Sequence, residues 1–274
     1  MTAPAPPQRL GARDDWAPPA IAPREVVDAA PFATGEDAYG TWLRVPVGAL
    51  RMRMRWIPPG EFPMGLTREQ VEVDNLVYEG TCRRVTLTRG LWLGETQCTQ
   101  ALWQAVTGFN PSSGGKGTSA VDGVTWRRSQ AFLRRINARV PGLRARLPTE
   151  AEWERACRGG TETPRYADDY QALAWNGTNC RDEPQPVARK LANPWGLYDM
   201  LGNVDELCSD HFAPLPAGPL RDPKGPARGE ARVLRGGCYI DQYAWFVHAA
   251  SRSALASRDL GTSVGLRLAR DADA

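Results

Sequence analysis

The chain has 274 residues, 42% hydrophobic and 24% charged, the balance of a globular domain long enough to bury a sizeable core without disulfide or metal staples. Its net charge is +3, from 34 basic and 31 acidic residues scattered along the sequence, which gives none of the concentrated basic stripe of a nucleic-acid partner. No hydrophobic run is long enough to cross a membrane, and the N-terminus MTAPAPPQRLGARDDWAPPA lacks the apolar core of a secretory signal.

The expected location is therefore the cytoplasm, where Cys82, Cys98, Cys157, Cys180, Cys208 and Cys238 are expected to be reduced, most of them acting as small buried hydrophobes. Residues 1–38, rich in Pro and Ala and without periodicity, read as a mobile arm, and 39–274 as the folded domain. Arg51 to Ile57 reads as a strand stopped by Pro58-Pro59-Gly60, with Arg51, Arg53 and Arg55 on a solvated face opposite Met52, Met54 and Trp56. Arg84 to Leu93 reads as a strand pair turning at Arg89-Gly90. Thr99 can cap a helix that buries Leu102, Trp103 and Val106 and stops at Gly108. Ser129 opens a second, with Phe132, Leu133, Ile136 and Val140 at helical spacing before Pro141-Gly142. Thr149 and Glu152 form a capping box at the start of a third, which ends at Gly159-Gly160. Glu150, Glu152 and Glu154 favour the dipole of that helix and read as structural.

Residues 161–230 lose all helical period, and irregular structure of this length is usually functional or held by an ion. Arg232 to Leu234 and Ser263 to Leu268 read as short closing strands. The order of strands, helices, loops and strands predicts an α+β fold with little regular structure, in which the ten tryptophans anchor loops.

Seven strings carry a family resemblance across Trp56 to Arg270: WIPPGEFPMG, VTLTRGLWLGETQCTQALWQAVTG, VDGVTW, RLPTEAEWERACRGG, NPWGLYDMLGN, RVLRGG and VGLRLAR. In this order they resemble the formylglycine-generating-enzyme (sulfatase-modifying factor) family. The resemblance implies a C-type-lectin-like fold: a small antiparallel sheet, few helices and long irregular loops. It also implies a structural calcium at Tyr198 to Glu206, held by the side chains of Asp199 and Glu206 and the carbonyls of Gly202 and Val204, hard oxygens of the kind calcium takes. A second family calcium site would lie near Trp175 to Asn179, where this chain is shortened.

Active members of the family bind Cu(I) through two cysteines just after RGG, soft ligands suited to that metal. Here the segment reads RGGCYIDQYAWFVHAASR. Cys238 stands where the family usually carries serine, Asp241 and Phe246 stand at the copper positions, and copper-dependent oxidation is not expected. The family's GNVWEW becomes GNVDEL, with Asp205 and Leu207 in place of both tryptophans.

The segment 239–263 mixes aromatic and small polar residues as adaptable binding surfaces do. Tyr239, Asp241, Tyr243, Trp245, Phe246, His248, Ser251, Ser253 and Leu255 are the candidate ligand contacts, with Trp245 and Phe246 divided between core and surface. The chain also resembles the variable proteins of diversity-generating retroelements, whose diversified residues lie between RGG and a closing G-F-R motif, here Gly265-Leu266-Arg267. The leading functional reading is a non-catalytic module binding a protein or other macromolecule. The alternatives are a formylglycine-generating or related oxidase, and a scaffold subunit of a larger assembly docked through its arm.

Overall fold

A computed structural model describes residues 32–73, 80–242, 247–256, 259 and 261–272. The chain begins with strands β1 (Ala33–Asp37), β2 (Gly40–Val47) and β3 (Leu50–Ile57), then β4 (Gly60–Met64), a short helix α1 (Arg68–Val73), β5 (Arg83–Leu87) and β6 (Leu91–Gly94). Helices α2 (Gln100–Thr107), α3 (Trp126–Arg139), α4 (Glu150–Arg158) and α5 (Tyr170–Leu173) follow. The remaining strands are β7 (Asp205–His211), β8 (Leu220–Arg221), β9 (Ala231–Arg235), β10 (Arg252–Ala256), β11 (Val264–Gly265) and β12 (Ala269–Asp271). Among the described residues these strands form three sheets, ordered β1-β2-β3-β6-β12, β10-β9-β7-β11 and β4-β5-β8.

The helix signals act as read at two of three starts. Thr99 accepts from the Leu102 amide and Gly108 closes α2 in the left-handed region. Thr149 and Glu152 form the reciprocal capping box of α4, which Gly159 ends. The helix expected to open at Ser129 instead starts at Trp126 under a Thr125 cap, whose hydroxyl accepts from the Arg128 amide. Ser129 turns inward, donating to the Trp126 carbonyl at 2.8 Å. A threonine with one more turn of helix to cap outcompetes it.

Several strand expectations change. Folded structure starts inside the expected arm: Ala33–Asp37 pairs antiparallel with Gly40–Arg44. No alternation marks this strand, because its partners fix it. Gly35 lies against the Trp42 ring, where a Cβ would sit 2.3 Å from the indole, and Asp37 receives the Arg55 guanidinium at 2.6 Å. Residues 1–31 of the arm lie outside the described residues. Arg55 is buried, not solvated like Arg51, because Glu95 takes its other terminal nitrogen at 2.7 Å. Arg84–Leu93 is not a hairpin. β5 pairs with β4 and β8, while β6 pairs with β3 and β12. Asp222 captures the Thr88 amide and hydroxyl, each at 2.7 Å, and pulls the end of β5 away. Ser263–Leu268 holds only the two-residue β11, paired with β7, and the chain then enters the five-stranded sheet at β12.

One core cluster lies between the five-stranded sheet and α2 and α3, with Trp103 stacked on Phe132 at 4.8 Å. A second joins α4 and the Leu197–Leu201 loop to β7 and β9, and Cys157 and Cys208 pack within it. All six cysteines are free, four of them buried, as small hydrophobes should be. No described helix is long and apolar enough to cross a membrane.

These layers meet at Arg267, which is wholly buried. Its Nη2 donates to Glu206 Oε1 at 2.7 Å and its Nε to Oε2 at 2.9 Å, while Nη1 donates to the Gly94 carbonyl at 2.9 Å and Nη2 to that of Tyr198 at 2.8 Å. The Trp153 indole N–H completes the site, donating to Glu206 at 2.7 Å. Removing one partner of a buried pair strands the other charge, at a cost of about 3–5 kcal/mol. Arg267→Met is expected to lose that much in urea unfolding. A loss below about 1 kcal/mol, the worth of an exposed pair, would show that Arg267 does not tie the layers together.

Candidate ligand-binding site

The site forms where β9 runs out into Gly236 and Gly237, both in the left-handed region at φ 96° and 74°. This turn reverses the chain, so that the Cys238 amide donates to Asp241 Oδ2 at 2.8 Å and the Tyr239 amide donates to the Asn203 carbonyl at 2.8 Å. Between the turn and β10 opens a cavity of about 180 Å³, lined by Asp205, Leu234, Gly236, Gly237, Asp241, Ser251, Arg252 and Ser253. Burial, and then the charge of Asp241, push the Asp205 carboxyl up to about 7. Burial and both carboxylates push the Cys238 thiol well above its ordinary value. A thiol held protonated is a poor nucleophile and a poor soft-metal ligand. The cavity instead offers carboxylate and hydroxyl oxygens, which suit hydrogen-bond donors on a ligand, and its one arginine, Arg252, is paired with Glu150.

Of the nine candidate contacts, three line this cavity: Asp241, Ser251 and Ser253. Three others are core. Tyr239 packs with Ala120 and Val204, and its hydroxyl donates to buried Asp122 at 2.9 Å. His248 is wholly buried. Leu255 points inward from β10 into the main core, because the segment is a paired strand whose alternate residues must face it. Tyr243, Trp245 and Phe246 lie outside the described residues. The sequence reading missed Asp205 as a cavity residue. Its signal was present in GNVDEL, where an aspartate replaces an aromatic next to RGG in space but not in sequence.

The four calcium donors implied by the sequence lie on a loop that only glycine could make: Gly202 has φ 77°, and a Cβ there would sit 2.3 Å from the Trp175 carbonyl. Both Glu206 oxygens are committed to Arg267 and Trp153. The Gly202 and Val204 carbonyls accept from Gln97 Nε2 at 3.2 and 3.0 Å. Asp199 Oδ2 accepts from the Ala188 amide at 2.7 Å, and burial pushes this carboxyl up to about 6. Two buried oxygens here, Asp199 Oδ1 and Gln97 Oε1, receive no hydrogen bond. A half-turn of the Gln97 amide would bring its Oε1 to the two carbonyls. Asp199, Gln97 and the two carbonyls offer hard oxygens of the kind calcium takes, whereas Glu206, expected as a ligand, is held by Arg267 instead. No group of three or more His, Cys, Asp and Glu side chains is placed to hold a metal among the described residues.

Residues 47–272 match the family described as "Sulfatase-modifying factor enzyme 1-like domain". The chain belongs to this family. A formylglycine-generating enzyme of Streptomyces coelicolor is 36% identical over 193 residues, covering 63% of this chain and 59% of that enzyme. The serine/threonine-protein kinase pkn1 of Chlamydia caviae is 40% identical over 123 residues, covering 43% of this chain and 19% of the kinase. The chain thus spans less than two thirds of either relative. Treponema denticola variable protein 1 superposes with a TM-score of 0.74 at 27% identity, covering 84% of this chain and 99% of that one. PvdO from Pseudomonas aeruginosa shares the fold at a TM-score of 0.68 and 21% identity, covering 83% and 97%. The α+β, C-type-lectin-like architecture is that of the family.

Tyr239 is a post that ties the RGG turn to the Asp122 loop. Tyr239→Phe leaves the Asp122 carboxyl, which is 1% exposed, without its phenol donor, and should cost about 1–3 kcal/mol. Chemical denaturation of wild type and variant measures this. An unchanged midpoint would return Tyr239 to the list of ligand contacts.

Proposed function

We propose that this protein is a non-catalytic ligand-binding module that engages a protein partner through the segment 239–263, by way of Asp241, Ser251 and Ser253 beside the RGG turn. One observation carries the reading. Asp241 occupies the first position at which the family resemblance places a copper cysteine, and its carboxylate holds the backbone of the RGG turn. Beside it Cys238 is 3% exposed and protonated, with its sulfur 3.6 Å from Asp241 Oδ2. A rigid turn, a carboxylate-lined cavity and the neighbouring serines make a recognition surface, and they supply no thiolate pair for oxygen chemistry. The likeness to a variable protein supports this use of the fold.

The test is a peptide array probed with purified protein. Ser253→Trp, on an exposed site of β10, should abolish capture of the selected peptides while leaving the melting temperature unchanged. Retained capture, or oxygen uptake with a cysteinyl peptide that depends on copper and is lost in Cys238→Ala, would favour the oxidase instead. The finer reading, a retroelement-diversified segment before Gly265-Leu266-Arg267, requires a reverse-transcriptase gene and a near-copy of this coding stretch beside the gene.

In this reading calcium is structural. Asp199, Gln97 and the carbonyls of Gly202 and Val204 hold it and keep the loop beneath the RGG turn in place. Chelation with EDTA should lower the melting temperature, added calcium should restore it, and Asp199→Ala should abolish the response. Identical melting with and without chelator would remove calcium from the protein.

A further inference from the structure

A second cavity, of about 310 Å³, shares Arg252 with the cavity beside the RGG turn and lies between the start of α4, the end of β7 and the loops that follow it. Its floor is apolar, from Met64, Ala151 and Leu215, and its walls include Pro214, Pro216, Pro223 and Pro226. Prolines bring no N–H and fix the backbone, so these walls are stiff and poor in donors. The one cation at its inner end is fully engaged. Arg252 donates from Nε and Nη2 to the two Glu150 oxygens at 2.7 and 2.8 Å, and from Nη1 to the Ala213 carbonyl at 3.0 Å. Lys224 stands exposed and solvated at the rim.

Two groups on the lining lack a hydrogen bond among the described residues: His211 Nδ1 and one oxygen of Asp210. Asp210 is 4% exposed and lines this cavity. Its Oδ2 accepts from the Glu150 amide at 3.0 Å and from the Ser209 hydroxyl at 3.1 Å. Its Oδ1 receives no hydrogen bond among the described residues, and it lies on the side of Gly225, where a methyl on that glycine would stand 3.4 Å away. Arg232 acts on this carboxyl through its charge, while its guanidinium donates to the neighbouring Ser209 carbonyl. Burial and the neighbouring Glu150 and Glu152 raise the carboxyl to about 6, and at pH 7.5 it is charged. A largely buried carboxylate with one oxygen open to a cavity whose floor is apolar is complementary to an apolar body with a cationic donor at its tip.

We propose that this cavity is a second binding site, distinct from the RGG face, for a small amine: a compact hydrocarbon or aromatic body whose ammonium group donates to Asp210. Space, stiffness and the open Asp210 oxygen select that class over carboxylates and phosphates, which the Asp210 and Glu150 charges repel. Isothermal titration at pH 7.5 with benzylamine, benzyl alcohol and benzoate tests it. Benzylamine is expected to bind saturably, benzyl alcohol more weakly, and benzoate not at all. Asp210→Asn keeps an acceptor for the Glu150 amide and removes the charge, and it should weaken benzylamine about tenfold, the worth of a charge-assisted hydrogen bond. Leu215→Trp, which fills the floor from a half-buried position, should abolish binding independently of that charge. No saturable heat with benzylamine, equal binding of benzoate, or benzylamine binding that survives both substitutions would overturn the assignment.

Discussion

The buried Arg267–Glu206 pair is the interaction on which the rest of the fold depends. One guanidinium reaches the end of β6, the Tyr198–Asp199 loop and the second residue of β7, and the Trp153 indole brings α4 to the same carboxylate. Taking two charges out of water costs several kcal/mol each, and the arrangement repays this only because the donors and lone pairs are matched almost one for one. The consequence is specificity of assembly. The five-stranded sheet, the four-stranded sheet and the long irregular stretch between α4 and β7 can meet in one register only, since any slip strands a charge.

A second buried network carries the same logic along α4. Glu154 pairs with Arg158 and Arg235, while Glu150 pairs with Arg252. The acidic residues that favour the start of this helix therefore also reach across to β9 and β10, the strands that flank the RGG turn. Arg235 stands over the Trp153 ring at 5.1 Å, so the two networks share a wall. The turn is thus mounted on rigid, charge-matched supports. That explains how the chemistry of the family site can change without loss of the fold: among the described residues, the ion pairs of these networks do not involve the side chains at 205, 238 or 241. Function here is grafted on the fold, and the two can diverge.

The same separation gives meaning to the irregular loops. They stay ordered because each is nailed by a few specific polar contacts. Asn193 bridges the carbonyls at the end of α4 to the amides of Trp195 and Leu197, and Asp222 ties the loop after β8 to Thr88. Tryptophans act as expected of anchors, with Arg232 stacked on Trp126 at 3.8 Å and Lys190 over Trp175 at 4.1 Å. Such contacts replace the regular hydrogen-bond ladders that a sheet or helix would supply.

By itself the sequence determined whatever depends on near neighbours. The caps at Thr99 and Thr149, the stops at Gly108 and Gly159, the strand at Arg51–Ile57 and the family motifs are all legible because their physics acts within a few residues. Tertiary structure decided what depends on distant partners. Arg55 is buried because Asp37 and Glu95 meet it, and β1 exists because Trp42 and Arg55 claim it. Tyr239, His248 and Leu255 are core although their segment reads as a surface loop. Gln97, more than a hundred residues from the carbonyls it faces, carries no local mark of that role. Charge pairing, cavity formation and the side of a strand that faces inward are properties of the assembled layers, and only the assembled chain expresses them.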